Sequence, residues 1–255
     1  MNLEFIGIIP ARYGSTRFPG KPLAKIGEKS MIQRVYEQAS RILDNLVVAT
    51  DDMRIKKEVK YFEGEVIMTS AEHNTGTERC AEAYLKFIEK NNMHFDAIIN
   101  IQGDEPFISP KQIKTLMNSF MDPNTQITTL IKAIKNKDEI FDPNVVKVTV
   151  TRMGYALYFS RSPIPYIRNT EKDEWINKHT FYKHLGIYAY KPKILNEIVR
   201  SEASLLEKAE SLEQNRWLEN GYMIKTAITD MDSYPVDTPA DIEKIIKAGL
   251  LEDLG

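Results

Sequence analysis

Apolar residues recur along this chain in short, nearly continuous blocks, separated by longer segments with helical spacing. Blocks occur at residues 5–9, 46–49, 66–68 and 97–101, the last with Asn100 as its one polar residue. The intervening segments carry apolar residues three and four positions apart, which is the spacing of one helix face. Short, continuously apolar strands that alternate with amphipathic helices are typical of a parallel sheet covered on both faces. The pattern therefore predicts an α/β fold with a doubly wound, mostly parallel sheet.

The middle of the chain has a different pattern. Strand-like segments follow one another at 127–131, 145–150, 155–160, 185–190 and 223–228. Little helix separates the first three of them, which favours antiparallel pairing. No repeat or flexible linker divides the chain, so we expect a single domain over residues 1–255 with an antiparallel insertion around 127–228. A polar loop is expected at 163–178, where Trp175 is either a lid residue or merely exposed.

Composition narrows the classes of partner. The chain is 42% hydrophobic and 27% charged, ordinary values for a packed protein. Its net charge of −2 gives no reason to expect nucleic acid or an anionic membrane as a partner. The lone cysteine, Cys80, suits a reducing compartment, and neither a signal peptide nor a membrane-spanning run is visible. We therefore expect a cytoplasmic protein whose partners are small molecules.

The first apolar block ends at Pro10 and is followed by a cationic loop, residues 12–21. Arg12, Arg17 and Lys21 lie within these ten residues, with Gly, Ser and Thr between them. A strand that ends in such a loop can present N–H groups and positive charge to phosphates. The spacing matches neither a Walker loop nor a dinucleotide fingerprint. On composition alone, a solvated loop joining strand to helix is an equal alternative.

Several aspartates follow predicted strands as well, namely the pair at 51–52, Asp104 and Asp237. The carboxyl ends of parallel strands meet at one edge of an open sheet, where ligands bind. Magnesium is usually held there by one or two carboxylates together with substrate phosphates. Each aspartate taken singly also has a purely structural explanation. Asp104 would be a turn residue before Pro106, and Asp237 would be a negative charge at the N-terminus of a helix. Together with the cationic loop they indicate a polyphosphate site with Mg²⁺.

Seven motifs run in order from residue 8 to residue 241, nearly the whole chain. They are Pro10-Ala11-Arg12 with Ser15-Thr16-Arg17-x-Pro19-Gly20-Lys21-Pro22, Gly76-Thr77-Glu78-Arg79, Asn100-x-Gln102-Gly103-Asp104-Glu105-Pro106, Tyr158-Phe159-Ser160-Arg161, His184-Leu185-Gly186-Ile187-Tyr188, Leu212-Glu213-Gln214-x-Arg216 and Val236-Asp237-Thr238-Pro239. This set resembles the sugar-nucleotide cytidylyltransferase family, and within it the enzymes that use 3-deoxy-manno-octulosonate (KDO).

The resemblance implies a fold, an activity and partners. The fold would be a Rossmann-like nucleotidyltransferase fold, with the antiparallel insertion used to form a homodimer. The activity would be transfer of CMP from CTP to the anomeric hydroxyl of KDO, which releases pyrophosphate and gives CMP-KDO for lipopolysaccharide biosynthesis. Mg²⁺ would be the cofactor, and CTP and KDO the partners.

The same resemblance implies roles for individual residues. Those implied in catalysis are Arg12, Lys21, Asp104 and Asp237. Those implied in CTP binding are Ala11, Arg12, Arg17, Lys21, Arg79 and Gln102. Those implied in binding the sugar acid are Arg161, His184, Tyr188, Glu213 and Gln214. The metal would be held by Asp104 and Asp237.

Two alternatives stay open at this point. The first is a cytidylyltransferase for a related acidic sugar, either 8-amino-KDO or sialic acid. The motifs at 184–188 and 213–214 favour KDO over sialic acid but do not distinguish the amino sugar, which differs in one substituent. The second is a non-catalytic nucleotide-binding module, against which the presence of both Asp104 and Asp237 argues.

Overall fold

A computed structural model describes residues 3–15, 17–247 and 249. The elements up to the sixth strand are β1 (Phe5–Ala11), β2 (Lys25–Ile26), β3 (Lys29–Ser30), α1 (Met31–Ser40), β4 (Leu46–Thr50), α2 (Met53–Tyr61), β5 (Val66–Met68), α3 (Gly76–Asn91) and β6 (Ala97–Asn100). The later elements are α4 (Pro110–Ser119), β7 (Ile127–Ala133), α5 (Lys137–Phe141), β8 (Lys147–Val150), β9 (Ala156–Ser160), α6 (Trp175–Lys178), β10 (Tyr182–Tyr190), α7 (Pro192–Ile198), α8 (Leu205–Glu210), α9 (Glu213–Glu219), β11 (Ile224–Ile228) and α10 (Pro239–Lys247). Short 3-10 helices lie at Lys21–Leu23 and Lys172–Glu174.

The chain forms two compact units. The first unit holds the described residues up to Lys114 and those from Ser233 onward, and the second is Thr115–Asp232. The insertion predicted around 127–228 lies inside the second unit. The chain therefore leaves the first unit through α4 and returns to it before α10.

The sheet of the first unit is parallel throughout, as the apolar blocks predict. β1 lies between β6 and β4, and β5 pairs with β4 on the outer side. Both central strands are buried, with Ile6, Ile8 and Ile9 of β1 fully shielded from solvent. α1 and α3 pack against β1. The α/β prediction is confirmed for this part of the chain.

Local capping explains where the helices begin. The Ser30 hydroxyl accepts a hydrogen bond from the backbone N–H of Gln33 at 3.4 Å, which caps the start of α1. Thr75 and Glu78 form a reciprocal capping box at the start of α3. This cap positions the N-terminus of α3 beside the site described below.

The second unit contains the antiparallel pairs that the middle of the chain predicts. β7 pairs with β10 in antiparallel fashion and with β11 in parallel fashion. β8 pairs antiparallel with both β10 and β9. The expected antiparallel character is confirmed, whereas its use in dimer formation stays a prediction.

Trp175 corrects one expectation. The sequence suggests a lid or an exposed residue in a polar loop, but the Trp175 side chain is only 3% exposed. It packs with Ile134, Ile140 and Phe181, and its indole N–H donates to the carbonyl of Thr170 at 3.1 Å. The charged neighbours of Trp175 along the chain gave no sign of a core position. The residue is buried because the short α6 turns this one side chain inward.

Among the described residues, we find no helix with the length and apolar character needed to cross a membrane.

Candidate active site

A cleft of about 270 Å³ opens in the first unit at the carboxyl ends of its strands. All eight residues predicted to bind CTP or metal line it: Ala11, Arg12, Arg17, Lys21, Arg79, Gln102, Asp104 and Asp237. The structure therefore brings together side chains that are separated by more than 200 positions in the sequence.

Two glycines allow the walls of the cleft to approach the end of β1. A Cβ atom on Gly103 would lie 2.8 Å from the carbonyl oxygen of Pro10, which is a clash with backbone. A Cβ atom on Gly76 would lie 3.2 Å from the Pro10 ring. The turn after β6 and the start of α3 can thus sit directly against Pro10, at the point where the cationic loop begins.

The ammonium of Lys21 lies between the two predicted metal carboxylates. Its Nζ is 2.7 Å from Oδ2 of Asp104 and 3.4 Å from Oδ1 of Asp237. Arg17 adds a second cation, with Nη2 at 3.1 Å from the same oxygen of Asp237. The backbone N–H of Val236 donates to the carbonyl of Asp104 at 2.9 Å, which ties the two carboxylate-bearing segments together.

This donor set fits Mg²⁺. Two carboxylates converge on one cationic position, now taken by Nζ of Lys21, and hard oxygen ligands are those that magnesium prefers. Within the described part of the chain, no group of three or more His, Cys, Asp or Glu side chains could hold a metal without help. Substrate phosphates and water would have to complete the coordination, as is usual for magnesium.

A third carboxyl group, Glu105, is buried beside this pair. Burial, together with the negative charges of Asp104 and Asp237, raises its pKa to about 7, although a hydrogen bond from Ser233 works in the opposite direction. The Ser233 hydroxyl donates to Oε1 of Glu105 at 2.5 Å. Oε2 of Glu105 is buried with no hydrogen-bond partner among the described residues.

Arg79 lines the cleft and is paired with one of the two aspartates that follow β4. Arg79 is 3% exposed, and its Nη1 donates to Oγ1 of Thr69 at 2.6 Å. Its Nη2 lies 3.4 Å from Oδ2 of Asp51. Asp52 instead caps α2. Neither aspartate of this pair lines the cleft, so the expectation that both lie at the ligand edge is wrong for their carboxylates.

The segment before α3 was missed as part of the site. His73, Asn74 and Thr75 line the cleft, and Nε2 of His73 contacts Oε2 of Glu82. The signal was present in the sequence, because Thr75 followed three residues later by Glu78 is a capping-box pattern. A helix N-terminus at a strand edge presents free N–H groups to an anion.

In the second unit, a β-bulge shapes the predicted sugar motif. The register of β10 against β7 shifts between Leu185 and Tyr188, next to His184. The Thr129 hydroxyl lies 2.8 Å from the carbonyl oxygen of Ile187 and 3.0 Å from Nε2 of His184. The hydroxyl donates its one proton to that carbonyl and accepts from the Nε2–H of His184.

The buried position of His184 favours a neutral imidazole. Burial lowers its pKa to about 3. With the proton on Nε2, its Nδ1 is left as a hydrogen-bond acceptor. Its ring packs edge-on against Phe159, with centroids 5.1 Å apart, which holds the ring in place.

Tyr188 lies beside this imidazole, and Glu213 lies near Tyr188. The centroids of the His184 and Tyr188 rings are 5.2 Å apart. Burial raises the pKa of Tyr188 well above its ordinary value, and the charge of Glu213 adds to the effect. Within the described residues the Tyr188 hydroxyl is buried without a hydrogen-bond partner, and Gln214 is buried as well. The Tyr188 hydroxyl therefore has the unmet hydrogen-bonding capacity that is expected in a ligand pocket.

Arg161 is held by a different set of groups. Its Nε donates to the carbonyl of Glu210 at 2.8 Å, and its Nη1 donates to the carbonyl of Pro143 at 3.0 Å. Its predicted role toward the sugar acid stays a prediction, because these bonds already engage much of the guanidinium.

A parallel α/β unit with a cationic loop and paired carboxylates at its strand edge defines a nucleotide-binding protein. The chain belongs to the cytidylyltransferase family, whose model, described as Cytidylyltransferase, matches residues 6–230. Within that family its relatives are 3-deoxy-manno-octulosonate cytidylyltransferases. The resemblance inferred from the seven motifs is thereby confirmed.

Two such relatives and one solved structure illustrate the similarity. The protein of Parabacteroides distasonis is 55% identical over 248 residues, which is 96% of this chain and 97% of the relative. The protein of Bacteroides thetaiotaomicron is 53% identical over 245 residues, covering 94% and 96%. A structure of CMP:2-keto-3-deoxy-manno-octonic acid synthetase complexed with CTP is 42% identical, with a TM-score of 0.88 and coverage of 98% and 99%.

The raised pKa of Glu105 predicts a pH-dependent stability. The folded protein binds this proton more tightly than the unfolded chain, so the associated stability is full below pH 4.5 and is lost as the pH rises through about 7. The loss is at most about 3 kcal/mol, at about 1.4 kcal/mol per pKa unit. Urea unfolding measures the free energy of unfolding at pH 5 and at pH 8. The difference between the two values should be smaller in Glu105→Gln than in the wild-type protein, by up to this amount.

Glu89→Gln serves as the control, because Glu89 is exposed on α3. It should reproduce the wild-type pH dependence. An unchanged pH dependence in Glu105→Gln would show that Glu105 is ionised in both states and that its burial has no titration consequence.

Proposed function

We propose that this protein transfers CMP from CTP to the anomeric hydroxyl of KDO, giving CMP-KDO and pyrophosphate. The observation that carries the proposal is the position of Lys21 between Asp104 and Asp237, at the cleft formed by the cationic loop. The high identity to relatives named for this activity supports the choice of sugar and nucleotide.

The reaction joins two anions. The anomeric oxygen forms a bond to the α-phosphorus of CTP, the bond to the bridging oxygen of the β-phosphate breaks, and pyrophosphate leaves while the hydroxyl loses its proton. Arg12, Arg17 and Lys21 bind the triphosphate and offset the repulsion between it and the sugar carboxylate. Rate enhancement comes from positioning and electrostatics, so an enzyme nucleophile is not required.

Asp104 and Asp237 would hold the Mg²⁺ ion of the site. When bound, the ion would neutralise charge on the transferring phosphoryl group and on pyrophosphate. The chain itself keeps the two carboxylates in place through the hydrogen bond from Val236 to Asp104.

The second unit would bind the sugar acid. His184 offers a neutral acceptor nitrogen, Tyr188 a buried hydroxyl, and Glu213 and Gln214 further polar groups for the hydroxyls of KDO. Arg161 would supply positive charge toward the carboxylate. A polyhydroxylated acid needs many directed hydrogen bonds, which these buried groups are suited to provide.

The choice of sugar is tested by measuring pyrophosphate release with Mg²⁺ and CTP. We expect release with KDO, and none with sialic acid or without sugar. Release with 8-amino-KDO alone would keep the mechanism and change the substrate. No release with any sugar, from a folded protein that binds CTP, would favour the non-catalytic module.

The metal assignment is tested by Asp104→Asn. Because one anionic ligand is lost while the side-chain shape is kept, turnover should fall about a hundredfold or more. The half-saturating Mg²⁺ concentration should rise, and the melting midpoint should stay close to that of the wild type. Asp44→Asn, an exposed aspartate outside the cleft, is the control. Near-normal turnover of Asp104→Asn at limiting Mg²⁺ would contradict the assignment.

The protein is also proposed to act in the cytoplasm as a homodimer that supplies lipopolysaccharide biosynthesis. Apolar side chains in the second unit support the dimer. Leu157 of β9 is 60% exposed and Ile228 of β11 is 58% exposed. Large exposed apolar side chains can mark an interface between subunits.

Sedimentation velocity should therefore give twice the chain mass of 29.3 kDa. Leu157→Glu should shift the protein toward the single-chain mass. Leu205→Glu should not, because Leu205 is 82% exposed but belongs to α8. A single-chain mass for the wild-type protein would refute the dimer.

A further inference from the structure

The base of the cationic loop is closed by one residue, Tyr13. Its carbonyl oxygen accepts hydrogen bonds from the backbone N–H of Ser15 at 3.0 Å and of Gly20 at 2.9 Å. Arg12 immediately precedes this closure and Lys21 immediately follows it. The conformation at Tyr13 therefore sets where both cations leave the loop.

The Tyr13 side chain is in turn packed on two sides. The Arg54 guanidinium lies over its ring, with Cζ 3.2 Å from the ring centroid. The backbone of Gly20 lies against the ring, since a Cβ on Gly20 would be 3.0 Å from ring carbons. Gly20 also has φ 72°, which other residues rarely adopt. The ring thus joins the loop closure to α2.

Arg54 is held for this contact by Asp52. Nε of Arg54 donates to Oδ1 of Asp52 at 3.0 Å, and Nη2 donates to Oδ2 at 2.7 Å. Oδ1 also accepts from the backbone N–H of Arg54 at 2.8 Å, which caps α2 directly after β4. The guanidinium is therefore orientated by a two-bond ion pair on a rigid element.

Charge on Arg54 alone does not account for this arrangement. Its charge is paired with Asp52, and within the described structure neither residue lines the cleft. A paired guanidinium stacked on a ring acts through its shape and its contacts.

We propose that Arg54, orientated by Asp52, is a positioning residue that clamps Tyr13 and so keeps Arg12 and Lys21 placed for the triphosphate. This inference rests on the proposed function, in which the cationic loop binds CTP. Tyr13 and Arg54 are not among the residues that line the cleft, so the clamp acts through Arg12 and Lys21.

The test is calorimetric titration of the full-length protein with CTP, together with steady-state kinetics. Arg54→Ala should weaken CTP binding and raise the KM for CTP about five- to tenfold. The KM for KDO should stay within about twofold, because the sugar groups lie in the second unit. The melting midpoint should change little, since the Arg54 side chain is 59% exposed and the Asp52 cap remains.

Five further variants separate positioning from charge. Lys57→Ala removes an exposed cation from the same helix and should leave CTP binding unchanged. Arg54→Lys keeps the charge but not the planar guanidinium, so it should bind CTP as weakly as Arg54→Ala does. Tyr13→Phe keeps the ring and should bind like the wild type. The double variant of Tyr13→Ala and Arg54→Ala should be no weaker than Tyr13→Ala alone.

Three results would overturn the inference while leaving the proposed function intact. They are full recovery in Arg54→Lys, equal affinities for Arg54→Ala and Lys57→Ala, and additive losses in the double variant. If Arg54→Ala does not fold, Arg54→Gln makes the same comparison. A wild-type protein that binds no CTP would overturn the proposed function, and this inference would fall with it.

Discussion

The cleft depends on one ammonium group shared by two carboxylates. Lys21 meets Asp104 and Asp237, which lie 83 and 216 positions further along the chain. Two negative charges at this separation repel each other, and the cation between them offsets that repulsion. The same balance of charge suits a site that must accept a triphosphate and a divalent ion. A divalent ion could replace the Lys21 ammonium beside the two carboxylates, and the ammonium could then pair with a phosphate, so that no carboxylate is left without a cation.

Other features of the first unit hold these charged groups in position. Gly103 and Gly76 let two segments approach Pro10, and the Val236 to Asp104 hydrogen bond joins the returning chain to the turn after β6. Glu105 lies next to the pair, and its raised pKa favours the neutral form, which spares the site a third negative charge. Backbone contacts therefore hold in place the groups whose charges make the site.

Sequence reasoning recovered what depends on local pattern. Continuous apolar blocks predicted the parallel strands, because a strand buried on both faces has no polar positions. The ordered motifs predicted the residues that line the cleft. Contacts made across the fold were not predictable: the burial of Trp175, the commitment of Arg161 to two carbonyls, and the bulge beside His184 all depend on which neighbours the folded chain supplies. Asp51 and Asp52 follow a strand as expected, yet Asp51 pairs with Arg79 and Asp52 caps α2.

The return of the chain to the first unit has a consequence for biosynthesis. Ser233 and Asp237 belong to the first unit but are made only after the whole second unit, Thr115–Asp232, has been translated. A nascent chain that has already formed its parallel strands still lacks the second carboxylate. A chain that stops before Asp237 thus has a cationic loop without its full counter-charge.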